Sequence, residues 1–190
     1  MKTLTNHTTT TCAVEAGRIS YNGTLQIEWP GLNFEAFIKK AYQHLNWHYP
    51  KFYKMSPLCQ LATVAGRYLL QNNALDDFPP EAIGVVIANK HASRSTDQQH
   101  VATFTNPQAY YPSPSIFVYT LPNILIGEWC IQYNIKGQTA FFVQPQLDWD
   151  FLLGYSQMLL QTPDTQCCIT GWVDYHPQHY RATLQFIHSE

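Results

Sequence analysis

The sequence predicts an α/β protein, and three observations lead to that fold class. Segments typical of strands alternate with segments typical of helices along most of the chain. The chain has 190 residues, of which 45% are hydrophobic, which suits one substantial core and leaves little room for two. A short apolar run, Ile83–Ala88, is typical of a strand covered on both faces, as in a parallel sheet. We therefore expect residues 1–190 to form one domain.

The first half of the chain predicts a strand and two helices before that apolar run. Thr11–Ser20 alternates loosely between polar and apolar residues, which predicts one strand that turns at Asn22-Gly23. Asn33 is a typical N-cap for a helix over Phe34–Asn46, where apolar residues recur at helical spacing. A second helix is predicted from Ser56-Pro57, because proline is favoured in the first turn of a helix.

The second half continues the alternation of strands and helices. A polar segment, Asn89–His100, follows the apolar run, and Pro107–Pro114 is a loop rich in tyrosine and proline. The remaining periodic segments predict two helices, Pro122–Tyr133 and Asp148–Gln161, and three strands, Thr139–Gln144, Gln166–Gly171 and Tyr180–Ile187.

Composition excludes several classes of partner. The net charge is −2 and no basic run occurs, so nucleic acid is not an expected partner. The longest apolar stretches are far too short to span a bilayer, and residues 1–8 do not resemble a secretory signal, so we expect a cytoplasmic protein with no membrane contact. Charged residues make up only 13% of the chain, which favours a surface that meets a partner protein, although Gln, Asn, Thr and Tyr are plentiful and also wet a surface.

The cysteines and histidines predict neither a metal site nor a cofactor. None of the five cysteines forms a Cys-x-x-Cys pair, and we interpret them as small buried hydrophobic residues. Cys167 and Cys168 are adjacent on a predicted strand, so they should point to opposite faces. His176 and His179 have a spacing that suits metal binding on a helix, but Pro177 lies between them, and we expect a surface loop.

Three segments resemble, in the same order, the N-terminal half of a ketosynthase, a condensing enzyme of the thiolase fold. The first is Lys54–Ala62, in which Lys-Met-Ser opens a helix. The second is Phe117–Gly137, which contains Asn123 and Gly127 and ends in a turn with glycine. The third is Thr165–Gly171. The resemblance implies a single thiolase-like lobe, and it covers most of the chain from about residue 50 to residue 175.

The same resemblance implies that this chain does not catalyse condensation. Counted without gaps from Gly137, the position of the nucleophilic cysteine is Gln146, or Gln144 if the alignment is shifted by two residues. An amide cannot attack a thioester, so no acyl-enzyme intermediate can form. The second lobe, which carries the two catalytic histidines of the family, has no counterpart in these 190 residues, so we do not expect decarboxylation either.

A half-size ketosynthase relative with glutamine in place of cysteine resembles the chain length factors of type II polyketide and aryl polyene systems. The resemblance implies a heterodimer with a catalytic ketosynthase, contact with an acyl carrier protein through that complex, and a share in the wall of the acyl tunnel. By position, Arg94, Asp97 and Val101 are the candidates for the tunnel wall, although a solvated loop is an equal alternative for this segment.

The candidate interface with the partner ketosynthase is the strand that precedes Gln146. Its apolar run Ala140-Phe141-Phe142-Val143 would be aggregation-prone if left as an exposed edge, and Tyr119 is a further candidate because tyrosine is enriched at interfaces. The alternative function is an independent small acyl-binding or acyl-transfer protein with the same fold.

Overall fold

The chain is organised around a fully buried strand, Ile83–Asn89, which has a parallel neighbour on each side. The computed structural model describes residues 7–71, 74–105, 107–108 and 110–189. Within those ranges one sheet contains the strands β1 (His7–Glu15), β2 (Arg18–Tyr21), β3 (Thr24–Glu28), β4 (Ile83–Asn89), β5 (Thr139–Val143), β6 (Cys167–His176) and β7 (His179–Ser189).

The sheet is mixed rather than parallel throughout. Its order is β3-β2-β1-β7-β6-β4-β5, and only the β4–β5 and β4–β6 pairs are parallel. The pairs from β6 through β7, β1 and β2 to β3 are all antiparallel. The parallel sheet predicted from Ile83–Ala88 is therefore confirmed for the three strands at one end of the sheet.

Helices cover both faces of the sheet, as the alternation of elements predicts. In chain order they are α1 (Phe34–His44), α2 (Pro57–Leu69), α3 (Arg94–Ala102), α4 (Pro114–Phe117), α5 (Ile124–Tyr133) and α6 (Trp149–Leu160), with short 3₁₀ turns at Pro50–Lys54, Pro80–Ala82 and Val118–Thr120. None of the described helices is long and apolar enough to cross a membrane.

Two cores lie on opposite faces of the sheet. The larger contains residues of α1, α2 and α5 with Cys167 and Ile169 of β6, and the smaller contains Leu152 and Leu159 of α6 with Cys168. Cys167 and Cys168 thus point to opposite faces, which confirms the prediction for adjacent residues of a strand.

Several predicted helix starts are confirmed by their capping hydrogen bonds. Oδ1 of Asn33 accepts a hydrogen bond from the amide of Ala36 at 2.9 Å, and the carboxylate of Asp148 accepts one from the amide of Phe151 at 3.0 Å. Ser56 caps α2, although its oxygen lies 3.4 Å from the amide of Cys59. The first amides of a helix have no acceptor within the helix, and a polar N-cap side chain accepts a hydrogen bond from one of them. Such residues therefore mark the start of a helix in the sequence.

The prediction of a single strand over Thr11–Ser20 is wrong. The chain reverses at Ala16-Gly17, which have φ angles of +47° and +76°, so that β1 and β2 form a hairpin. Val14 and Ile19 pair across it and are both completely buried. The apolar alternation of Cys12 and Val14 runs on to Ala16, which lies in the turn itself, and this hides the reversal; Ile19, five positions after Val14, belongs to a shifted alternation. The turn at Asn22-Gly23, between β2 and β3, is confirmed.

The polar segment after β4 is a helix, α3, rather than a loop. Thr96 is its only buried residue in the described structure, so no apolar periodicity marks the helix in the sequence. The predicted helix from Pro122 begins at Ile124, and α4 with its following 3₁₀ turn occupies part of the region before it. Helices α3 and α4 and the 3₁₀ turn contact one another, and the turn also contacts α5.

Candidate functional site

The connection from β5 to α6 forms a strand-to-helix elbow at the carboxyl end of the parallel strands. This is the edge at which α/β sheets usually place their ligands. Gln146 lies in the elbow with its side chain exposed, and it lines a groove of about 400 Å³. Gln146, which the sequence analysis predicts at the nucleophile position, is thus an exposed residue of a strand-to-helix connection.

The groove brings Gln146 together with histidines that the sequence analysis did not connect with it. His91 follows β4, while His176 and His179 end β6 and begin β7. The rings of His91 and His176 lie 5.1 Å apart. His176 and His179 pair directly across the tight turn between β6 and β7, so the surface loop expected there is the end of a hairpin.

The buried carboxylate of Asp174 fixes the groove wall. Oδ1 of Asp174 accepts hydrogen bonds from the amides of Lys90 and His91 at 3.1 and 2.9 Å, and its Oδ2 lies 2.8 Å from Nδ1 of His91. Sequence reasoning missed His91 and Asp174, although both lie at the carboxyl ends of buried strands, where a ligand site is expected in this fold class. Among the described residues, no group of three His, Cys, Asp or Glu side chains could hold a metal ion.

Strand β5 forms one edge of the sheet, with no strand of the described residues on its outer side. At its ends the amide of Val85 donates to the carbonyl of Gln138, and the amide of Gln144 donates to the carbonyl of Asn89. Alternate residues of a parallel strand bond to the same neighbour. The even-numbered residues of β5 therefore bond to β4, and the amides and carbonyls of the odd-numbered residues point outward.

The four candidate interface residues of β5 differ in their surroundings. Val143 is 59% exposed, whereas Ala140, Phe141 and Phe142 are half-buried against their own chain. The ring of Phe142 lies 4.8 Å from that of Phe151 and 5.1 Å from that of Tyr155. A charge at position 142 would disrupt this packing and destabilise the chain itself. For these four residues, the accessible parts are the backbone edge and the side chain of Val143.

Tyr119 is not available as an interface residue. It is only 6% exposed, and its hydroxyl donates to Oε1 of Glu128 at 3.3 Å. Burial raises the pKa of this hydroxyl, and the nearby Glu128 carboxylate raises it further. The enrichment of tyrosine at interfaces holds as an average, and here the hydroxyl satisfies a buried carboxylate instead.

A second cavity lies between β5 and α5. It has a volume of about 510 Å³ and is lined mainly by apolar side chains, among them Leu121, Ile126 and Phe141, together with Cys130. Because the lining includes the face of β5 that points toward α5, a partner bound at the sheet edge would lie beside this cavity.

The three tunnel candidates share one face of α3. Their spacing of three and four residues places Arg94, Asp97 and Val101 on one stripe. Asp97 accepts a hydrogen bond from Oγ of Ser93 at 3.0 Å, while Val101 is 49% exposed. The cavity beside α3, of about 160 Å³, is lined by Thr96 and Gln99 instead.

Exposed apolar side chains are concentrated around α3 and α4. We call this group the apolar surface, and its members are Val101, Tyr110, Tyr111, Phe117, Val118 and Leu121, each at least 48% exposed. Large exposed apolar side chains grouped in this way are typical of interaction sites.

Four of the five thiols are buried, as the sequence predicts. Cys12, Cys59, Cys167 and Cys168 are buried, and burial raises the pKa of each to about 12. Cys130 is half-buried rather than buried, although burial also raises its pKa. A thiol with a raised pKa is a poor nucleophile at neutral pH.

Comparison with solved structures identifies proteins that share this fold. A ketosynthase complex described as "AntDE:AntF (apo): type II PKS acyl-carrier protein in complex with its ketosynthase bound to the hexaketide" matches 98% of this chain with a TM-score of 0.64 and 12% identity. The ishigamide ketosynthase/chain length factor matches 95% with a TM-score of 0.64 and 15% identity. The ketosynthase ApeO in complex with its chain length factor ApeC from Xenorhabdus doucetiae matches 98% with a TM-score of 0.55 and 14% identity.

These matches confirm the predicted fold class. The chain spans 63% and 61% of the length of the first two matched chains and 80% of the third. No protein-family model matches the sequence. No curated protein matches it either.

Proposed function

We propose that this chain is a non-catalytic, chain-length-factor-like subunit that binds a catalytic ketosynthase and contributes to the wall of its acyl tunnel. The observation that carries the proposal is the elbow after β5, which exposes Gln146, the residue that the sequence resemblance aligns with the nucleophile. A subunit with this fold and no nucleophile can serve elongation by shaping the site of a partner. The matched structures are complexes of ketosynthases, two of them with chain length factors, which supports this choice.

The proposed contact is the free edge of β5. Three consecutive odd-numbered residues, Thr139, Phe141 and Val143, direct backbone groups outward, and a strand of the partner would pair with them. Val143 at the edge and the apolar surface around α3 and α4 would be covered at the same time. Burial of apolar side chains would supply much of the binding free energy.

The proposal assigns acyl transfer to the partner. Four of the five thiols are buried and have a pKa of about 12, and none of the five lies among the residues that line the groove at Gln146. An acyl carrier protein would therefore deliver its thioester to the ketosynthase subunit, and this chain would meet the acyl group only as it lengthens.

Copurification with a ketosynthase encoded beside this chain tests the proposal. We expect the two to elute together in gel filtration, and Val143→Pro to abolish coelution. Proline removes the outward amide of residue 143 and places its ring at the edge, while the bonds of β5 to β4 remain. Val143→Ala, which keeps the amide, is the matched control and should still bind.

A different outcome would favour the alternative function. If the chain is a folded monomer that ignores the ketosynthase, and a long-chain acyl thioester binds to it directly, it is an independent acyl-binding protein of this fold. If Val143→Pro binds as well as Val143→Ala, the edge of β5 is not the contact.

A further inference from the structure

The pair His91–Asp174 is built more like a ligand-directing pair than like a surface ion pair. The carboxylate side chain of Asp174 is only 5% exposed and receives three hydrogen bonds, two from backbone amides and one from Nδ1 of His91. Since a carboxylate only accepts, Nδ1 of His91 carries the proton. The side chain of His91 is 25% exposed, and its remaining nitrogen, Nε2, is the one left for a ligand in the groove.

The polar lining of this groove consists largely of basic and imidazole side chains. Besides His91 it contains Lys90, His176, His179 and Arg181, and the only carboxylate in the lining is that of Asp174. The hydrogen bonds that Asp174 accepts come from His91 and from two backbone amides, not from the side chains of Lys90 or Arg181. Arg181 is partly engaged outside the groove, because its Nε lies 3.4 Å from Oε2 of Glu15 and 3.2 Å from Oγ1 of Thr183.

The remaining lining suits an organic ligand rather than a bare ion. Pro145, Leu147 and Trp172 form an apolar wall, and the amides of Gln146 and Gln178 add neutral hydrogen-bonding groups. A volume of about 400 Å³ is within the usual range of small-molecule sites. The groove thus combines basic side chains with apolar ones in a single lining.

We propose that this groove binds an organic oxyanion, a carboxylate or a phosphate ester, with Lys90 and the imidazole of His91 as the directing groups. Asp174 positions His91, since it holds the ring by Nδ1 and so leaves Nε2 as the nitrogen that can meet the anion. Hydrogen bonds to a charged group are roughly twice as strong as those between neutral groups. The inference stands apart from the heterodimer, because every group involved belongs to this chain.

The test is a titration of the ¹⁵N-labelled chain, followed by the amide signals of Lys90 and His91, at about pH 6, where histidine is readily protonated. The probes are malonate for the carboxylate class and glycerol 3-phosphate for the phosphate esters, with acetamide as the neutral control. We expect saturable shifts with at least one of the two anions and none with acetamide. The anion that binds more tightly identifies the ligand class.

Variants decide whether the groove causes those shifts. His91→Gln and Lys90→Ala should each weaken binding and raise the dissociation constant about tenfold, as expected for the loss of one charged hydrogen bond. Lys39→Ala, which removes an exposed lysine of α1 outside the groove, should leave it unchanged. The inference is overturned if neither anion gives a saturable shift, or if all three variants bind as the unmodified chain does.

Discussion

Nζ of Lys51 lies 2.7 Å from Oε1 of Glu128, a carboxylate whose side chain is only 2% exposed. The hydroxyls of Tyr49 and Tyr119 also donate to this carboxylate, each at 3.3 Å. The cluster links the 3₁₀ turns Pro50–Lys54 and Val118–Thr120 to α5. It therefore holds Val118–Thr120, which contributes to the apolar surface, in place.

Removal of the lysine charge should destabilise the chain. Lys51→Met would leave the buried carboxylate without its cation, and because Lys51 is 44% exposed and water can replace part of its charge, we expect a loss of about 2 kcal/mol. Urea unfolding measures this loss. Lys136→Met, which breaks an exposed pair with Glu81 at 3.6 Å, is the control and should cost less than about 0.5 kcal/mol. Equal losses from the two variants would contradict a special role of Glu128.

The thiols should differ in reactivity. We expect iodoacetamide at neutral pH to leave Cys12, Cys59, Cys167 and Cys168 unmodified in the folded chain, because burial both shields them and raises their pKa. Any slow modification should fall on the half-buried Cys130. Peptide mass spectrometry before and after unfolding reads this out. Rapid modification of a buried thiol in the folded chain would contradict the structure.

Stability should fall at alkaline pH. These four thiols ionise near pH 9.0 when unperturbed but near pH 12 in the folded chain, so above pH 9 the unfolded chain binds fewer protons than the folded chain. The free energy of unfolding must then decrease as the pH rises, by up to about 1.4 kcal/mol per pH unit for each such group. Urea unfolding at pH 8 and pH 10 measures the slope, and Cys59→Ala should reduce it. A stability that is flat or rising over this window would contradict the burial of the thiols.

The fold was largely predictable because most elements carry local signals. The buried run Ile83–Ala88, the Asn33 and Asp148 caps and the apolar stripes of α1 and α2 each mark an element on their own. The β1–β2 hairpin was missed because Ala16, two positions after Val14, extends the apolar alternation into the turn. Helix α3 escaped because it is polar on nearly every side.

The candidate site was predictable only in part. Gln146 could be placed from a resemblance that fixes the count from Gly137, a residue whose close approach to the carbonyl of Ile83 leaves no room for a side chain. The His91–Asp174 pair could not be found in this way, because 83 residues separate its members and only the parallel β4–β6 pairing joins them. Tyr119 was misassigned because sequence does not show which tyrosine meets a buried carboxylate.

Substitution at Val101 tests the tunnel assignment. Because Val101 is 49% exposed, Val101→Trp needs no space inside this chain, and in the complex it should shorten the longest product while short substrates are still condensed. Asp97 is a poorer probe, since it bonds to Ser93 at the start of α3. Leu25→Trp, at a residue 51% exposed on the opposite edge strand β3, is the control. Product profiles from mass spectrometry that do not differ between these variants would remove α3 from the tunnel wall.

The exchange of backbone amides in β5 tests the central claim most directly. The amides of Thr139, Phe141 and Val143 point away from β4, whereas those of Ala140 and Phe142 bond to it. If a ketosynthase strand pairs with this edge, NMR-detected hydrogen exchange of the three outward amides should slow at least about tenfold in the complex, with little change at residues 140 and 142. A stable complex in which all three outward amides exchange as fast as in the free chain would contradict the proposed interface.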